Sequence, residues 1–364
     1  MMKIQGKSLL WILLIILTMI SAQNARILAQ AHLMLHGGGA TFPFPLYAKW
    51  SYEYARFTGE RFNYQSIGSG AGIEQMRHHI FDFGASEAPL DAEALSRSGL
   101  IQFPMVIGGV VPVVNLPGIA PAELKLTGPL LADIFLGRIT SWRDPRIMAL
   151  NPHLRLPPLE ISVVTRADGS GSTWLITRYL GEVSADWRLK VGNGPSVRWP
   201  VGMASKGNEG VSSYVKQTTG SIGYVEFTYA RQNGLATVLL QNRAGGFPLP
   251  GRASFLAAAA KAEWQGPERS PKGLTDQAGE GAWPIVGASF ILIARDQPDA
   301  RRAAALLSYF DWCFHDGKRF VDELDYVPIP EPIVHQIEAA WAADIRVGGR
   351  PVWPLAQPPA KSNG

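Results

Sequence analysis

Short apolar runs alternate with amphipathic helical patterns along most of this chain. The apolar runs without helical period are residues 62–67, 82–86, 106–115, 161–165, 222–226 and 290–294. Apolar residues at helical spacing occupy residues 44–57, 72–79, 173–180, 300–315 and 332–343. Strands that alternate with helices are typical of a largely parallel sheet covered by helices. The sequence therefore predicts an α/β fold.

The chain length predicts two lobes rather than one. At 364 residues the chain exceeds the roughly 250–300 residues at which a single core stops growing. An Ala-, Gly- and Pro-rich stretch at 245–281 precedes a point near residue 285 where the chain is predicted to cross from one lobe to the other. A matching crossing between the lobes is expected near residue 105. We therefore expect lobe I to comprise residues 32–105 and 286–364, and lobe II residues 106–285.

The N-terminus has the pattern of a secretory signal peptide. Lys3 and Lys7 precede the 12-residue run LLWILLIILTMI, and small and polar residues follow it. A membrane anchor needs roughly 20 apolar residues, so we predict a cleaved leader over residues 1–31 and a periplasmic protein. Cleavage is expected after Ala31, with Ala25 as a rival site.

Charge and cysteine content exclude several classes of protein. The net charge of +4 falls to +1 without residues 1–31, and no run of five basic residues exists, so no nucleic-acid partner is expected. Cys313 is the only cysteine, which excludes an intrachain disulfide. Its apolar helical setting favours a buried, inert thiol.

Three segments share the order strand, turn of glycine and hydroxyl residues, then helix. The turns are residues 39–43, 68–72 and 166–172. A helix N-terminus leaves backbone N–H groups unpaired and carries roughly half a positive charge, so such turns bind oxyanions. Ser and Thr are also common N-caps, so each turn alone has a purely structural explanation. Three together favour an anion site.

Arg166 stands at the head of the third turn. Its planar guanidinium suits a phosphate or carboxylate, and Asp168 could hold it in place. A local surface ion pair explains the same spacing equally well.

The sequence lacks the common signatures of enzymes that act on phosphate. Neither GxxxxGK[ST] nor HExxH occurs, and the seven histidines are scattered, so no metal site and no cofactor are expected. A GxSxG elbow is also absent, so Ser170 lacks the setting of a hydrolase nucleophile.

Several motifs resemble the periplasmic phosphate-binding proteins of bacterial phosphate ABC transporters. They are GGGATFPFPLYAKW, IGSGAGIEQ, DFGASEAPL, FPMVIGGVVPVVN, DIFLGRITSWRDP, RADGSGS, GNEGV, GSIGYVEF and AWPIVGASFILI, spanning residues 37 to about 345. The resemblance implies a two-lobe, hinged binding protein with its ligand cleft between the lobes. It implies a monomer whose partners are phosphate, a membrane permease and the permease's ATPase subunits.

Carried onto this sequence, the resemblance implies a set of phosphate ligands. They are Thr41, Phe42, Ser69, Glu87, Arg166, Ser170, Gly171 and Ser172, with Asp168 supporting Arg166. Two positions depart from the family pattern: Ser172 replaces a threonine, and Glu87 replaces an aspartate and reaches about 1.5 Å further.

We therefore expect a non-enzymatic receptor that binds inorganic phosphate and delivers it to a permease. The alternatives are a phosphoester hydrolase that uses the same anion cleft, and a receptor for arsenate, phosphonate or sulfate.

Overall fold

A computed structural model describes residues 33–265, 270–272 and 274–354. The predicted leader over residues 1–31 and the end of the C-terminal tail lie outside these ranges. The part of the chain described includes no helix with the length and apolar character needed to cross a membrane.

The elements alternate along the chain as predicted. The strands that lie side by side along the main sheet are β1 (Met34–Gly39), β2 (Arg61–Ser66), β3 (Phe83–Ser86), β4 (Leu100–Val114), β6 (Ser162–Arg166), β7 (Met203–Ser205), β8 (Ser221–Glu226) and β13 (Val286–Ala294). The remaining strands have two or three residues: β5 (Lys125–Leu126), β9 (Ala236–Thr237), β10 (Leu239–Leu240), β11 (Glu263–Gln265), β12 (Ser270–Lys272), β14 (Val327–Pro328), β15 (Arg346–Val347) and β16 (Arg350–Pro351).

The helices up to residue 190 are α1 (Phe44–Thr58), α2 (Ser69–Arg77), α3 (Ala92–Arg97), α4 (Gly128–Phe135), α5 (Pro145–Leu150), α6 (Gly171–Val183) and α7 (Ala185–Lys190). Those that follow are α8 (Gly207–Gln217), α9 (Phe227–Asn233), α10 (Arg252–Ala259), α11 (Ala300–Phe314), α12 (Lys318–Glu323) and α13 (Glu331–Asp344).

A single mixed sheet connects two parallel groups of strands through an antiparallel centre. The strand order is β2-β1-β3-β13-β4-β8-β6-β7. Strands β1, β2 and β3 are parallel, as are β6, β7 and β8, whereas β13 and β4 run antiparallel to their neighbours. The predicted α/β fold is confirmed, and the antiparallel centre is the difference from a largely parallel sheet.

Strand β4 passes from one group of strands to the other. Its first part pairs with β13 as far as Gly109 opposite Val286, and its last part pairs with β8 from Val110 opposite Glu226. All 15 residues of β4 are buried. A continuous buried strand thus connects the two groups.

Strand β4 begins six residues before the predicted run at 106–115. The sequence there contains Gln102 and Pro104, which interrupt the apolar pattern. In the structure Gln102 Oε1 accepts a hydrogen bond from the Leu90 N–H at 2.9 Å. Pro104 lies beside an irregularity in the β4–β13 register, where a strand tolerates proline.

Buried tryptophans pack the interior of the protein. Trp50, Trp142 and Trp283 are at most 1% exposed. Each indole N–H donates to a backbone carbonyl at 2.9 Å, on Gly317, Gly220 and Val110 respectively. The Cys313 thiol is also buried, as predicted.

Candidate functional site

The first predicted turn leads from β1 into α1. Gly39 ends β1, and the Ala40 N–H donates to the carbonyl of Ala85 in β3 at 2.9 Å. Thr41 and Phe42 follow and are 3% and 0% exposed. The turn is thereby held against the carboxyl end of β3, and both residues point into the protein interior.

The second turn leads from β2 into α2, which begins at Ser69 rather than at the predicted residue 72. The helix starts earlier because Gly68 occupies its N-cap with φ +96°. A Cβ on Gly68 would lie 2.3 Å from Asp168 Oδ2, so both the backbone angle and the available space require glycine. The Gly70 N–H donates to Gly169 O at 2.9 Å. The second and third turns therefore touch.

The third turn holds Arg166 and Asp168 as a buried pair. Arg166 Nε and Nη2 donate to the Asp168 carboxylate at 2.8 and 2.5 Å. The Arg166 side chain is 1% exposed, so the alternative of a surface ion pair is wrong. Arg166 Nη1 donates to no acceptor among the described residues. That edge of the guanidinium is therefore left for a ligand.

Asp168 is held in its charged form. Burial alone would raise the pKa of Asp168, but the hydrogen bonds and charge of Arg166 outweigh burial and bring the pKa below its ordinary value. Asp168 Oδ1 also accepts from the Gly207 N–H at 3.0 Å. The carboxylate thus fixes the guanidinium from one side and the start of α8 from the other.

The start of α6 supplies the other predicted residues of the third turn. Ser170 is the N-cap, and its hydroxyl accepts from the Thr173 N–H at 3.1 Å. The Gly171 N–H donates to Ser69 Oγ at 3.0 Å. The Ser172 hydroxyl is buried and has no hydrogen-bond partner among the residues described. The start of α6 therefore meets the start of α2.

Glu87 follows β3 and lies between these two helix starts. Ser69 Oγ donates to Glu87 Oε2 at 3.2 Å, and Oε1 has no partner in the described part of the chain. A Cβ on Gly171 would lie 2.2 Å from Oε2. Glu87 is 1% exposed, and burial raises the pKa of its carboxyl group to about 7.

Sequence reasoning missed a fourth helix N-terminus at this place. Asn208, near the start of α8, donates to Thr41 Oγ1 from its backbone N–H at 3.2 Å and from Nδ2 at 2.7 Å. The Tyr229 hydroxyl donates to Thr41 O at 2.8 Å. The motif GNEGV contains Asn208, but a local sequence pattern cannot predict its contact with Thr41, which is 167 positions away.

The structure thus brings all of the predicted ligand residues to one buried place. Donors come from the turns at the starts of α1, α2 and α6 and from Arg166, while Glu87 supplies a carboxyl group with one unpartnered oxygen. Hydrogen-bond donors on several sides and one carboxyl group suit a small oxyanion that carries a proton.

Comparison with known proteins identifies the family. A profile for the PBP superfamily domain matches residues 22–316. A phosphate-binding protein PstS of Xylella fastidiosa strain Temecula1 is 51% identical over 312 residues, which is 86% of each chain. A phosphate-binding protein PstS of Haemophilus influenzae is 50% identical over 320 residues, covering 87% of this chain and 95% of that protein. The chain belongs to the PstS phosphate-binding protein family.

Solved structures confirm the fold that is expected of a PstS family member. A high-affinity periplasmic phosphate-binding protein, solved with bound phosphate at pH 8.5, superposes with a TM-score of 0.69 at 20% identity. The match covers 90% of this chain and all of that one. The predicted two-lobe binding-protein fold is confirmed.

Proposed function

We propose that this protein binds inorganic phosphate in the periplasm and delivers it to the permease of an ABC transporter. The observation that carries the proposal is the buried Arg166–Asp168 pair together with the buried Glu87 carboxyl group at the meeting point of four helix N-termini. The curated relatives named phosphate-binding protein PstS support the substrate. The proposed partners are phosphate, the permease and its ATPase subunits, and the proposed state is a monomer.

The proposed ligands come from both lobes. Thr41, Phe42, Ser69 and Glu87 belong to lobe I. Arg166, Ser170, Gly171 and Ser172 belong to lobe II, with Asp168 fixing Arg166. We propose that the lobes hinge where β4 changes partner, between Gly109 and Val110, and where the chain returns before β13.

Phosphate is distinguished from sulfate by its proton. Near neutral pH phosphate retains a proton that it can donate to a carboxylate, whereas sulfate has none. An ionised Glu87 facing sulfate would leave two acceptors in contact, which penalises sulfate. Glu87 therefore acts as the acceptor for the anion's proton, as the longer counterpart of the family's usual aspartate.

Calorimetric titration of anion-stripped mature protein with phosphate, arsenate and sulfate tests this proposal. We expect saturable 1:1 binding of phosphate, binding of arsenate because it carries the same proton, and far weaker binding of sulfate. Tight sulfate binding, or no phosphate binding, would contradict the proposal.

The same protein is expected to turn over no phosphoester. The Ser170 hydroxyl is the N-cap of α6, and none of its hydrogen bonds in the described part of the chain involves a histidine or carboxylate base. Incubation with a chromogenic phosphoester tests this expectation, and phosphate release that is lost in Ser170→Ala would favour a hydrolase.

A further inference from the structure

Glu226 is a buried carboxyl group outside the proposed ligand set. It is the last residue of β8, is 1% exposed and lies opposite Val110 where β4 changes partner. Its side-chain hydrogen bonds come from the backbone N–H of Thr228 at 2.9 Å and from the hydroxyls of Thr228 and Tyr326. In the described residues none of these bonds comes from a cation. The carboxyl group is thus buried without a counter-charge in contact.

The Tyr326 hydroxyl has two oxygen neighbours and only one proton. It lies 2.8 Å from Phe42 O and 3.0 Å from Glu226 Oε2. A backbone carbonyl can only accept, so the tyrosine proton is required by Phe42 O. The contact with Glu226 is then a hydrogen bond only if the carboxyl group donates.

The Thr228 hydroxyl repeats this arrangement at the other carboxyl oxygen. Thr228 Oγ1 lies 2.7 Å from Leu324 O and 3.2 Å from Glu226 Oε1. Again the backbone carbonyl requires the single hydroxyl proton. These two contacts each lack a proton, and a neutral carboxylic acid supplies one of them, at the shorter contact with Tyr326, whereas a carboxylate would face both hydroxyl oxygens as an acceptor.

Glu226 stands at the start of two hydrogen-bonded chains that end on the first turn. One chain runs through Tyr326 to the carbonyl of Phe42. The other runs from the Glu226 N–H to Asn208 Oδ1 at 3.0 Å, and from Asn208 Nδ2 to Thr41 Oγ1 at 2.7 Å. Both chains cross from lobe II to lobe I, so each connects Glu226 to a proposed ligand residue of the other lobe.

We propose that Glu226 is a positioning residue that carries a proton in the closed form, and that this proton helps to hold Thr41 and Phe42 in the geometry that binds phosphate. The inference rests on the proposed function. Burial raises the pKa of Glu226 to about 8, which agrees with the proton count.

The groups around Glu226 do not supply a competing charge in contact. Tyr326 and Tyr229 have a pKa raised well above the ordinary value by burial, so both stay neutral. The Tyr229 hydroxyl donates to Thr41 O and lies 2.9 Å from Glu209 Oε1 on α8. Arg231 on α9 pairs with Asp325, which leaves its charge compensated.

The pH dependence follows from linkage. Opening the lobes separates Glu226 from Tyr326 and hydrates the carboxyl group, so its pKa is higher in the closed form than in the open form. Closure then takes up a proton, and phosphate affinity falls as pH rises between the ordinary value of 4.5 and about 8. The fall is at most about tenfold per pH unit and ends above the closed-form pKa.

The first experiment compares wild type with Glu226→Gln. Dissociation constants for phosphate are measured by calorimetry at pH 6, 7, 8 and 9, and their ratio is taken at each pH. The titration of phosphate and of Glu87 affects both proteins and cancels in the ratio. We expect the wild-type constant to rise relative to the variant by about threefold or more between pH 6 and 8, then to stay level. Asp186→Asn is the control, because Asp186 is an exposed carboxylate of lobe II whose pKa is lowered by its hydrogen bond with Arg138, and it should give a constant ratio.

The second experiment detects the proton directly. The infrared difference spectrum of wild type minus Glu226→Gln, recorded at pH 7 with phosphate, should contain the carbonyl band of a protonated carboxylic acid. Tyr326→Phe keeps the ring and removes one partner of the acid, so it should shift that band and weaken phosphate binding.

The outcomes separate the inference from the proposed function. A ratio that does not change with pH, or no acid carbonyl band in the loaded wild type, overturns the role of Glu226 while phosphate binding stands. Failure of the wild type to bind phosphate at any pH overturns the proposed function instead. If Glu226→Gln does not fold, the band in wild type and its shift in Tyr326→Phe decide the question.

Discussion

At the scale of single residues, Arg166 is the main positive charge of the proposed site. Its side chain is 1% exposed and is fixed by two hydrogen bonds to Asp168. Truncating one partner of a buried charge pair costs about 2–5 kcal/mol. We therefore expect Arg166→Ala to raise the dissociation constant for phosphate by at least about 30-fold, measured by calorimetry.

Asp168→Asn is the companion change, because an amide can still accept from the guanidinium but carries no charge. We expect a smaller loss of affinity than in Arg166→Ala. A wild-type dissociation constant in Arg166→Ala would remove Arg166 from the site.

Glu87 decides the choice of anion in the proposed site. Gln at this position can donate as well as accept, so Glu87→Gln should bind sulfate better relative to phosphate than wild type does. Glu87→Asp keeps the carboxylate and should retain the preference for phosphate. Titrations of all three proteins with both anions measure the ratio. An unchanged ratio in Glu87→Gln would mean that selectivity arises elsewhere in the site.

At the scale of elements, α6 must approach β3 closely for the site to form. A Cβ on Gly171 at the start of α6 would lie 2.2 Å from Glu87 Oε2. We expect Gly171→Ala to weaken phosphate binding about tenfold or more, because 1.4 kcal/mol of misfit already has that effect.

Gly181 in the same helix is the matched control. A Cβ there would meet its nearest neighbours at 4.0 Å, so Gly181→Ala should leave affinity unchanged. It should raise the free energy of unfolding by up to about 1 kcal/mol, since alanine is the better helix former. Equal affinities in the two variants would contradict the close approach of α6 and Glu87.

The elements that sequence could predict are those defined by local pattern. The amphipathic run at 44–57 became α1 within one residue, and the three glycine-hydroxyl turns lead from strands into helices as expected. The first six residues of β4 were not predicted because Gln102 and Pro104 interrupt the apolar pattern. In the structure the Gln102 side chain accepts a hydrogen bond from Leu90, and Pro104 lies beside the irregular register with β13, so the strand tolerates both residues. Those compensations come from other parts of the chain.

The site was predictable to the extent that its residues lie in turns with a local signature or in motifs shared with a family. Asn208 and Glu226 lie in such motifs, which indicated no role for them, and Tyr326 lies outside all of them. Their contacts join residues 100 or more positions apart, such as Glu226 with Tyr326 and Asn208 with Thr41. Such contacts depend on how the two lobes meet, which periodicity does not encode.

At the scale of the whole molecule, two buried acids make stability depend on pH. Burial raises the pKa of Glu87 to about 7 and that of Glu226 to about 8, from an ordinary value of 4.5. The native state then holds protons that the unfolded state releases. Stability from these groups is complete below pH 4.5 and is lost as pH rises to about 8.

Each group contributes a slope of at most about 1.4 kcal/mol per pH unit within its window. Urea denaturation of anion-stripped protein at pH 5, 6, 7 and 8 measures the trend, and Glu226→Gln should reduce the slope. A free energy of unfolding that rises over this range would contradict the raised pKa values of the two buried acids.

Small-angle X-ray scattering measures whether the lobes close around the anion. Scattering is recorded on anion-stripped protein alone, with phosphate and with sulfate, and on Arg166→Ala with phosphate. We predict that phosphate alone reduces the radius of gyration of the wild type, and that the loaded curve matches the structure in which Asn208 contacts Thr41 and Gly70 contacts Gly169. Identical curves for stripped and phosphate-loaded wild type would contradict both the hinge and the assignment of ligands to two lobes.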